Sequence, residues 1–300
     1  MRILHLNNVA NVAVELRDAQ RQLGHEARVA SLVERATWLN FPEDYRFYPG
    51  RGLIEKIAFA GQLLNLVRWA DVVHVHGTFS NLDVLRTMRN LGKTMVAHYH
   101  GTDVRLGSWR SSADLFHAIL LSTPDLQEAC PSGVYVPNPL TPLEAPPRHR
   151  PEGPFRVVHA HVRHAALEKV KGTETIRRIL AGIDGAELVE VVGKSHGEAL
   201  AIYASCDLAV DQLRIGWYGM FALECMSMGI PTLGYVEDPN GLGNPVYPVE
   251  DGTLRETIEA FLRDEALRHR VAEKQGRYVR EVHDPLTIGR RVLEVYEGRP

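Results

Sequence analysis

Short apolar runs alternate with helix-patterned segments along almost the whole chain, and this alternation limits the possible folds more than any other feature. The runs are RILHL, EARVASL, DVVHVHG, TMVAHYH, HAILLST and GVYVP, followed later by FRVVHAHV, AELVEVVG, CDLAVDQL and IPTLGYV. Apolar runs of this length with helices between them are typical of β-α-β units, whose parallel strands are buried on both faces. The sequence therefore predicts an α/β protein with parallel sheets.

Prolines interrupt the alternation once, in the segment PNPLTPLEAPPRHRPEGP. Proline lacks a backbone N–H and fixes φ, so a segment this rich in proline continues neither a helix nor a central strand. We predict two doubly wound, Rossmann-like domains, residues 1–145 and 146–284, and a C-terminal helix over 285–300 that packs back toward the N-terminal domain. Ligands bind at the carboxyl ends of the strands in such sheets, so we expect both domains to face a central cleft.

Composition excludes several classes of protein. Hydrophobic residues make up 45% and charged residues 24% of the chain, as in soluble globular proteins. A net charge of -3 gives no general attraction to nucleic acid. Three scattered cysteines, without a signal-peptide pattern or a membrane-length apolar run, predict a cytoplasmic protein. The amphipathic segment GLIEKIAFAGQLLNLVRWA is a candidate for peripheral contact with the inner face of a membrane.

The segment DQLRIGWYGMFALECMSMGIP joins two of the predicted strands in the second half. Gly216 and Gly219 bracket a turn, and the run that follows favours a helix opening at Gly219. The first N–H groups of a helix, here those at Met220 and Phe221, lack partners within the helix and suit a phosphate. Glu224 lies in this helix among apolar neighbours, where it either contacts a ligand or occupies the solvated face.

The same segment resembles the nucleotide-binding domain of retaining GT-B glycosyltransferases of family 4. Five further pieces resemble that family in the same order: GHEARVASL, ADVVHVHG, HYHGTDVR, KGTETI and EALAIYASCDLAVDQ. The resemblance spans nearly the whole chain and implies the GT-B fold. It also implies transfer of a sugar from a nucleotide-sugar donor to an acceptor hydroxyl, with retention of configuration. The acceptor stays unknown: a glycan, a lipid-linked molecule or a small molecule. A non-catalytic partner subunit or sensor and a nucleotide-sugar epimerase remain alternatives.

The resemblance assigns roles to several residues of the second half. The family has two glutamates here. Glu224 corresponds to the later one, which binds the donor ribose. Gly216 stands at the position of the earlier one, which contacts the donor sugar. Asp211 is the nearest acid for this missing contact, unless it serves as a turn residue. Arg163 and Lys171 resemble the basic pair that holds the donor diphosphate, with Lys169 as a rival for Lys171. Their alternative is a pair of solvated loop cations.

In the N-terminal half, His100 resembles the family histidine near the donor sugar. Asp103 either orients His100 or caps the following turn. The first loop carries Asn8 and Asn11 in place of the family's glycine-rich turn. Asparagine tolerates positive φ, so the turn can persist, and both side chains are candidates for contact with donor or acceptor.

Histidines recur at alternate positions of three predicted strands: His74 and His76, His98 and His100, and His159 and His161 followed by His164. Alternate residues of a strand point to one face, and two imidazoles are part of a metal site. No third ligand follows any pair at a convincing spacing. We therefore predict no metal and no cofactor besides the nucleotide-sugar substrate.

Overall fold

The computed structural model describes residues 1–32, 43–47, 52–79, 81–144, 153–161, 165–238 and 241–299. They form two compact α/β units. The first consists of the described residues up to Thr141 together with those from His283 onward, and the second runs from Pro142 to Val282.

The first unit contains a sheet of seven parallel strands in the order β3-β2-β1-β4-β5-β6-β7. These strands are β1 Arg2–Leu6, β2 Glu26–Ser31, β3 Tyr45–Arg46, β4 Val72–His76, β5 Thr94–Tyr99, β6 Ala118–Leu121 and β7 Val134–Tyr135. All six predicted strands are present, because each is an apolar run that parallel packing buries. The one strand of this sheet that the sequence did not predict is β3, which has only two residues and no apolar run.

Helices α1 to α5 and the C-terminal helix α12 belong to this unit. They are α1 Val12–Gln22, α2 Leu53–Trp69, α3 Leu82–Asn90, α4 Thr102–Arg105, α5 Leu126–Ala129 and α12 Pro285–Tyr296. Two 3₁₀ turns, Ser108–Ser111 and Ala113–Leu115, follow α4. Helix α12 packs on α1 as predicted: a Cβ on Gly289 would lie 3.1 Å from Ala19. Its Ile288 and Val292 enter the same core as Leu16 of α1.

The second unit contains a sheet of five parallel strands in the order β12-β11-β10-β8-β9. These strands are β8 Phe155–Ala160, β9 Ala186–Val191, β10 Leu208–Val210, β11 Thr232–Gly234 and β12 Tyr247–Pro248. The helices are α6 Ala165–Lys171, α7 Thr173–Leu180, α8 His196–Ala204, α9 Met220–Ser227, α10 Leu254–Arg263 and α11 Glu265–Val282. The four predicted strands are present, and the two-residue β12 was not foreseen.

Helix α2 buries only part of its apolar surface. Leu63, Leu66 and Val67, in its second half, pack into the core. Ile54 and Ile57, in its first half, are 83% and 64% exposed. Within the described residues no helix combines the length and hydropathy needed to cross a bilayer.

Candidate functional site

Asp211 connects two elements at the carboxyl end of β10. Its side chain is 1% exposed. Oδ1 lies 2.5 Å from Nζ of Lys171, the last residue of α6, and Oδ2 accepts a hydrogen bond of 3.1 Å from the N–H of Gly219. Gly219 is the residue before α9. The carboxylate therefore holds the end of α6 against the start of α9.

Lys171 places a cation at this helix start. Its ammonium lies 5.6 Å from the centre of the Phe221 ring, in the first turn of α9, and its side chain remains 24% exposed. A helix N-terminus carries free N–H groups and partial positive charge, which attract an anion. The ammonium beside it is paired with the Asp211 carboxylate. The structure thus brings Lys171, Gly219, Met220 and Phe221 together. Arg163, the predicted partner of Lys171, lies outside the described residues.

Glu224 is buried in α9 and is 8% exposed, so the solvated-face alternative is wrong. Nε2 of His196 donates to its Oε1 over 2.8 Å. His196 is the first residue of α8, and a capping box formed by Ser195 and Glu198 fixes that helix start. The sequence interpretation missed His196, although the SxxE pattern around it marks the beginning of a helix.

Gly216 is required by both its backbone and its surroundings. Its φ is +82°, and a Cβ there would lie 2.8 Å from Cβ of Glu237 and 3.1 Å from Oε2 of Glu237. The N–H of Glu237 donates to the carbonyl of Gly216 over 2.8 Å. The Tyr235 hydroxyl donates to Oε1 of Glu237 over 2.5 Å. An exposed carboxylate therefore occupies the space into which a side chain at position 216 would extend.

Gln212 supports the turn between β10 and α9. Its side-chain amide donates to the carbonyls of Trp217 and Tyr235, and its Oε1 accepts from the N–H groups of Arg214 and Ile215. The side chain is therefore fully used in holding the turn in place.

His100 follows β5, and Asp103 lies in α4, the helix that comes next. The Asp103 carboxylate accepts from the N–H of His100 over 3.0 Å, and from the N–H and hydroxyl of Thr78 over 2.8 Å each. It therefore ties the loop after β4 to the loop after β5 and fixes the backbone of His100. The half-buried His100 ring places Nε2 3.4 Å from Nδ1 of His76.

The asparagines of the first loop shape the entry to α1. Asn7 and Asn11 have φ of 64°, a conformation that asparagine adopts more readily than most residues. The buried Asn8 accepts from the N–H of Ala13 over 3.2 Å and donates to Glu43 over 3.3 Å. Asn11 donates to Glu15 over 3.3 Å. These contacts support the helix start.

Spacing along single strands indicates no third metal ligand, but the sheet brings histidines from neighbouring strands together. The parallel register places His5 of β1 opposite His74 of β4, and His76 opposite His98 of β5. One ring nitrogen from each of His5, His74 and His76 lies within 4.8 Å of the others, and the same holds for His76, His98 and His100. The prediction that the protein needs no metal is itself untested.

Known proteins resemble both the sequence and the fold. Residues 9–123 match the family model described as Glycosyltransferase Family 4. HepE of Anabaena, solved with UDP-glucose, aligns with a TM-score of 0.72 at 13% identity, over 99% of this chain and 100% of that chain. AviGT4, a glycosyltransferase involved in avilamycin A biosynthesis, aligns with a TM-score of 0.61 at 12% identity, over 100% and 98% of the two chains.

A putative UDP-N-acetylglucosamine 2-epimerase from Listeria monocytogenes aligns with a TM-score of 0.58 at 14% identity, over 100% of this chain and 98% of that chain. Among curated protein sequences none matches. The alignments and the two parallel sheets confirm the predicted fold class, a two-domain Rossmann-like GT-B fold.

Proposed function

We propose that the protein is a retaining glycosyltransferase that moves a sugar from a nucleotide-sugar donor to an acceptor hydroxyl. The observation that carries the proposal is the grouping of Lys171, the start of α9 and the buried Glu224 in a chain of this fold. UDP-sugars are the first donors to test, because HepE was solved with UDP-glucose.

The donor diphosphate binds at the start of α9 in this proposal. Met220 and Phe221 begin α9, and the Lys171 ammonium lies 5.6 Å from the centre of the Phe221 ring. Negative charge grows on the diphosphate as the bond to the sugar breaks, and fixed positive groups stabilise that charge in the transition state. Arg163 is assigned the same task on the family resemblance alone.

The donor ribose binds at Glu224. A carboxylate accepts hydrogen bonds from two neighbouring hydroxyls, and one of its oxygens is already held by His196 at 2.8 Å. His196 is therefore a positioning residue that fixes the orientation of Glu224. This contact exists in both the ground and the transition state, so it contributes to donor affinity more than to turnover.

Glu237 takes the contact with donor-sugar hydroxyls that the family makes through a glutamate at position 216. Its carboxylate lies beside Gly216, is exposed, and has Oε2 3.1 Å from the site of a Cβ there. Asp211 is less suited, since its two oxygens already bind Lys171 and the N–H of Gly219. Glu237 therefore replaces Asp211 in this role.

Retention follows when the acceptor attacks the same face of the sugar that the diphosphate leaves. The bond from the acceptor oxygen to the anomeric carbon forms, the bond from that carbon to the phosphate oxygen breaks, and the departing phosphate takes the acceptor's proton. No carboxylate pair of the glycosidase kind is needed. His100 is assigned to the sugar side of this reaction, and no metal is assigned to the leaving group.

A panel of nucleotide sugars, each with glycan, lipid-linked and small-molecule acceptors, tests this function. We expect one donor to give transfer, with a product whose anomeric proton coupling shows the configuration of the donor. Inverted product contradicts retention. Donor binding without transfer to any acceptor favours the non-catalytic alternative. Conversion of the free nucleotide sugar into its epimer favours the activity named for the Listeria relative.

A further inference from the structure

Five histidine side chains form a row on one face of the first sheet. His5 lies on β1, His74 and His76 lie on β4, His98 lies on β5, and His100 follows β5. The first four are at most 1% exposed. Each buried imidazole has two ring nitrogens that need a hydrogen-bond partner or another ligand. A row of buried histidines therefore needs partners for many polar atoms.

Two side chains outside the row fix the rings at one end of it. Nε2 of His5 donates to the Gln20 carbonyl over 2.8 Å. The Gln20 amide nitrogen donates to the Tyr296 hydroxyl over 3.2 Å, and that hydroxyl lies 2.6 Å from Nδ1 of His74. Histidines that bind metals are held in this way, by a hydrogen bond to the second ring nitrogen.

These outer contacts leave Nδ1 of His5 and Nε2 of His74 directed into the row. Nδ1 of His5 lies 3.0 Å from Nε2 of His76. Among the described residues, none hydrogen-bonds to Nε2 of His74. Two nitrogens bound to one tetrahedral zinc ion lie about 3.3 Å apart, so the His5–His76 pair stands near the spacing that such an ion imposes. A ring nitrogen of His74 lies within 4.8 Å of both.

We propose that Nδ1 of His5, Nε2 of His74 and Nε2 of His76 bind one divalent transition-metal ion of the kind that prefers imidazole, of which zinc is the representative. Imidazole nitrogen suits zinc, copper, nickel and iron better than it suits magnesium or calcium. The ion joins β1 to β4 beneath α1 and α12, and it stabilises the first unit. It takes no part in sugar transfer, and His100 is not a ligand.

The overlapping set of His76, His98 and His100 is less suited to the ion. In the described part of the chain neither ring nitrogen of His98 has a hydrogen-bond partner, so no hydrogen bond fixes the orientation of that ring. His100 is also only half-buried. The two sets share His76. Substitution of His74 affects only the first set and substitution of His98 only the second, so these two variants distinguish the sets.

Titration of tag-free protein with Co²⁺ and Zn²⁺ after dialysis against a chelator tests the site. We expect one ion per chain, the visible absorption of tetrahedral Co²⁺, and a melting temperature that rises with Zn²⁺ because the ion binds the folded state. His5→Gln and His74→Gln should abolish binding, whereas His98→Gln should retain it. His117→Gln, an exposed histidine of the same unit, is the matched control and should behave as the wild type.

Tyr296→Phe decides the matter if the histidine variants fail to fold. It removes only the hydroxyl that holds His74, and loss of such an outer contact lowers metal affinity by about 10–100-fold. Unchanged Zn²⁺ affinity in this variant overturns the proposal. So does a wild-type protein that retains no ion, loss of binding in the His117 control, or binding that survives His74→Gln but not His98→Gln.

Discussion

The two units contain polar clusters of opposite character. In the second unit, Lys171 pairs with Asp211 and His196 pairs with Glu224, so each cluster combines a donor with a carboxylate and keeps one partner partly exposed. In the first unit, the histidine row consists of five imidazole rings, four of which are buried. Positive groups at a helix start suit an anion, whereas buried imidazole lone pairs suit a metal ion. The two units are therefore expected to bind ligands of opposite charge.

Lowering the pH should destabilise the first unit more than the second, and this is the largest difference that we expect between them. Burial lowers the pKa of His5 and His283, both in the first unit, to about 4, and lowers the pKa values of His74, His76 and His98 well below normal. In the second unit burial lowers the pKa of His159 to about 4. These groups titrate near 6.5 when unfolded, so the unfolded chain binds more protons as pH falls below that value. Each of these histidines then lowers the free energy of unfolding by about 1.4 kcal/mol per pH unit, until the pH reaches the pKa of that histidine in the folded protein.

The buried thiols report each unit separately. Cys130 lies in the first unit, and Cys206 and Cys225 lie in the second. For chelator-treated protein in a fixed, mild urea concentration, we expect an acid-tolerant pyridyl disulfide to label Cys130 sooner as the pH falls from 7 to 5. Earlier labelling of Cys206 and Cys225 would contradict the contrast between the units.

Lys171→Ala should reduce turnover by about 10²–10³-fold, as loss of one group that stabilises transition-state charge does elsewhere. Donor affinity should fall less, because the charge on the diphosphate is largest at the transition state. Steady-state kinetics with the identified donor measures both effects. The variant leaves the buried Asp211 without its cation, so its melting temperature must be recorded as well.

Lys169→Ala is the matched control for this change. Lys169 lies two residues earlier in α6 and is exposed, so its loss should leave both turnover and stability near the wild-type values. Equal losses in the two variants would show that Lys171 acts only through the general charge of the helix end.

Glu224→Ala should weaken binding of the nucleoside diphosphate by about 10–100-fold, since hydrogen bonds to a charged group contribute about 1.5–3 kcal/mol. Turnover at saturating donor should change little, because ribose is held equally in the ground and transition states. Calorimetric titration measures the affinity. An affinity equal to that of the wild type would remove Glu224 from the site.

Glu237→Gln should lower transfer by about tenfold and leave the affinity for the free nucleoside diphosphate unchanged. The carboxylate contacts only the sugar in this proposal, and an imperfectly paired sugar hydroxyl costs about 1–3 kcal/mol. Glu250→Gln, another exposed glutamate of the second unit, is the control. Normal transfer by Glu237→Gln would show that Glu237 does not contact the donor sugar. Either Asp211 then makes this contact or no residue does.

The sequence was informative wherever neighbours along the chain determine the structure. Apolar runs identify ten of the twelve strands within the described residues, and glycine spacing identifies the start of α9. The two strands that were missed, β3 and β12, have two residues each and depend on pairing with a neighbour. A strand this short carries no periodic pattern of its own.

Contacts between distant segments could not be predicted from the sequence alone. Glu237 lies against Gly216 because the loop after β11 returns to the turn before α9. His5 reaches His76 only because β1 and β4 are neighbours in the sheet. The roles of His196, Glu237 and the histidine row therefore depend on the sheet order and register, which the strand pattern leaves open.

Hydrogen–deuterium exchange of the whole protein with and without UDP tests the assignment of the anion site most directly. We predict slower exchange of the backbone N–H groups of Met220 and Phe221, which have no carbonyl partner within α9 and bind the diphosphate in this proposal. We also predict slower exchange around His196, through the contact of Glu224 with ribose. Exchange in β1 and β4, around the histidine row, should not change. Unchanged exchange at the start of α9 in saturating UDP would contradict the account.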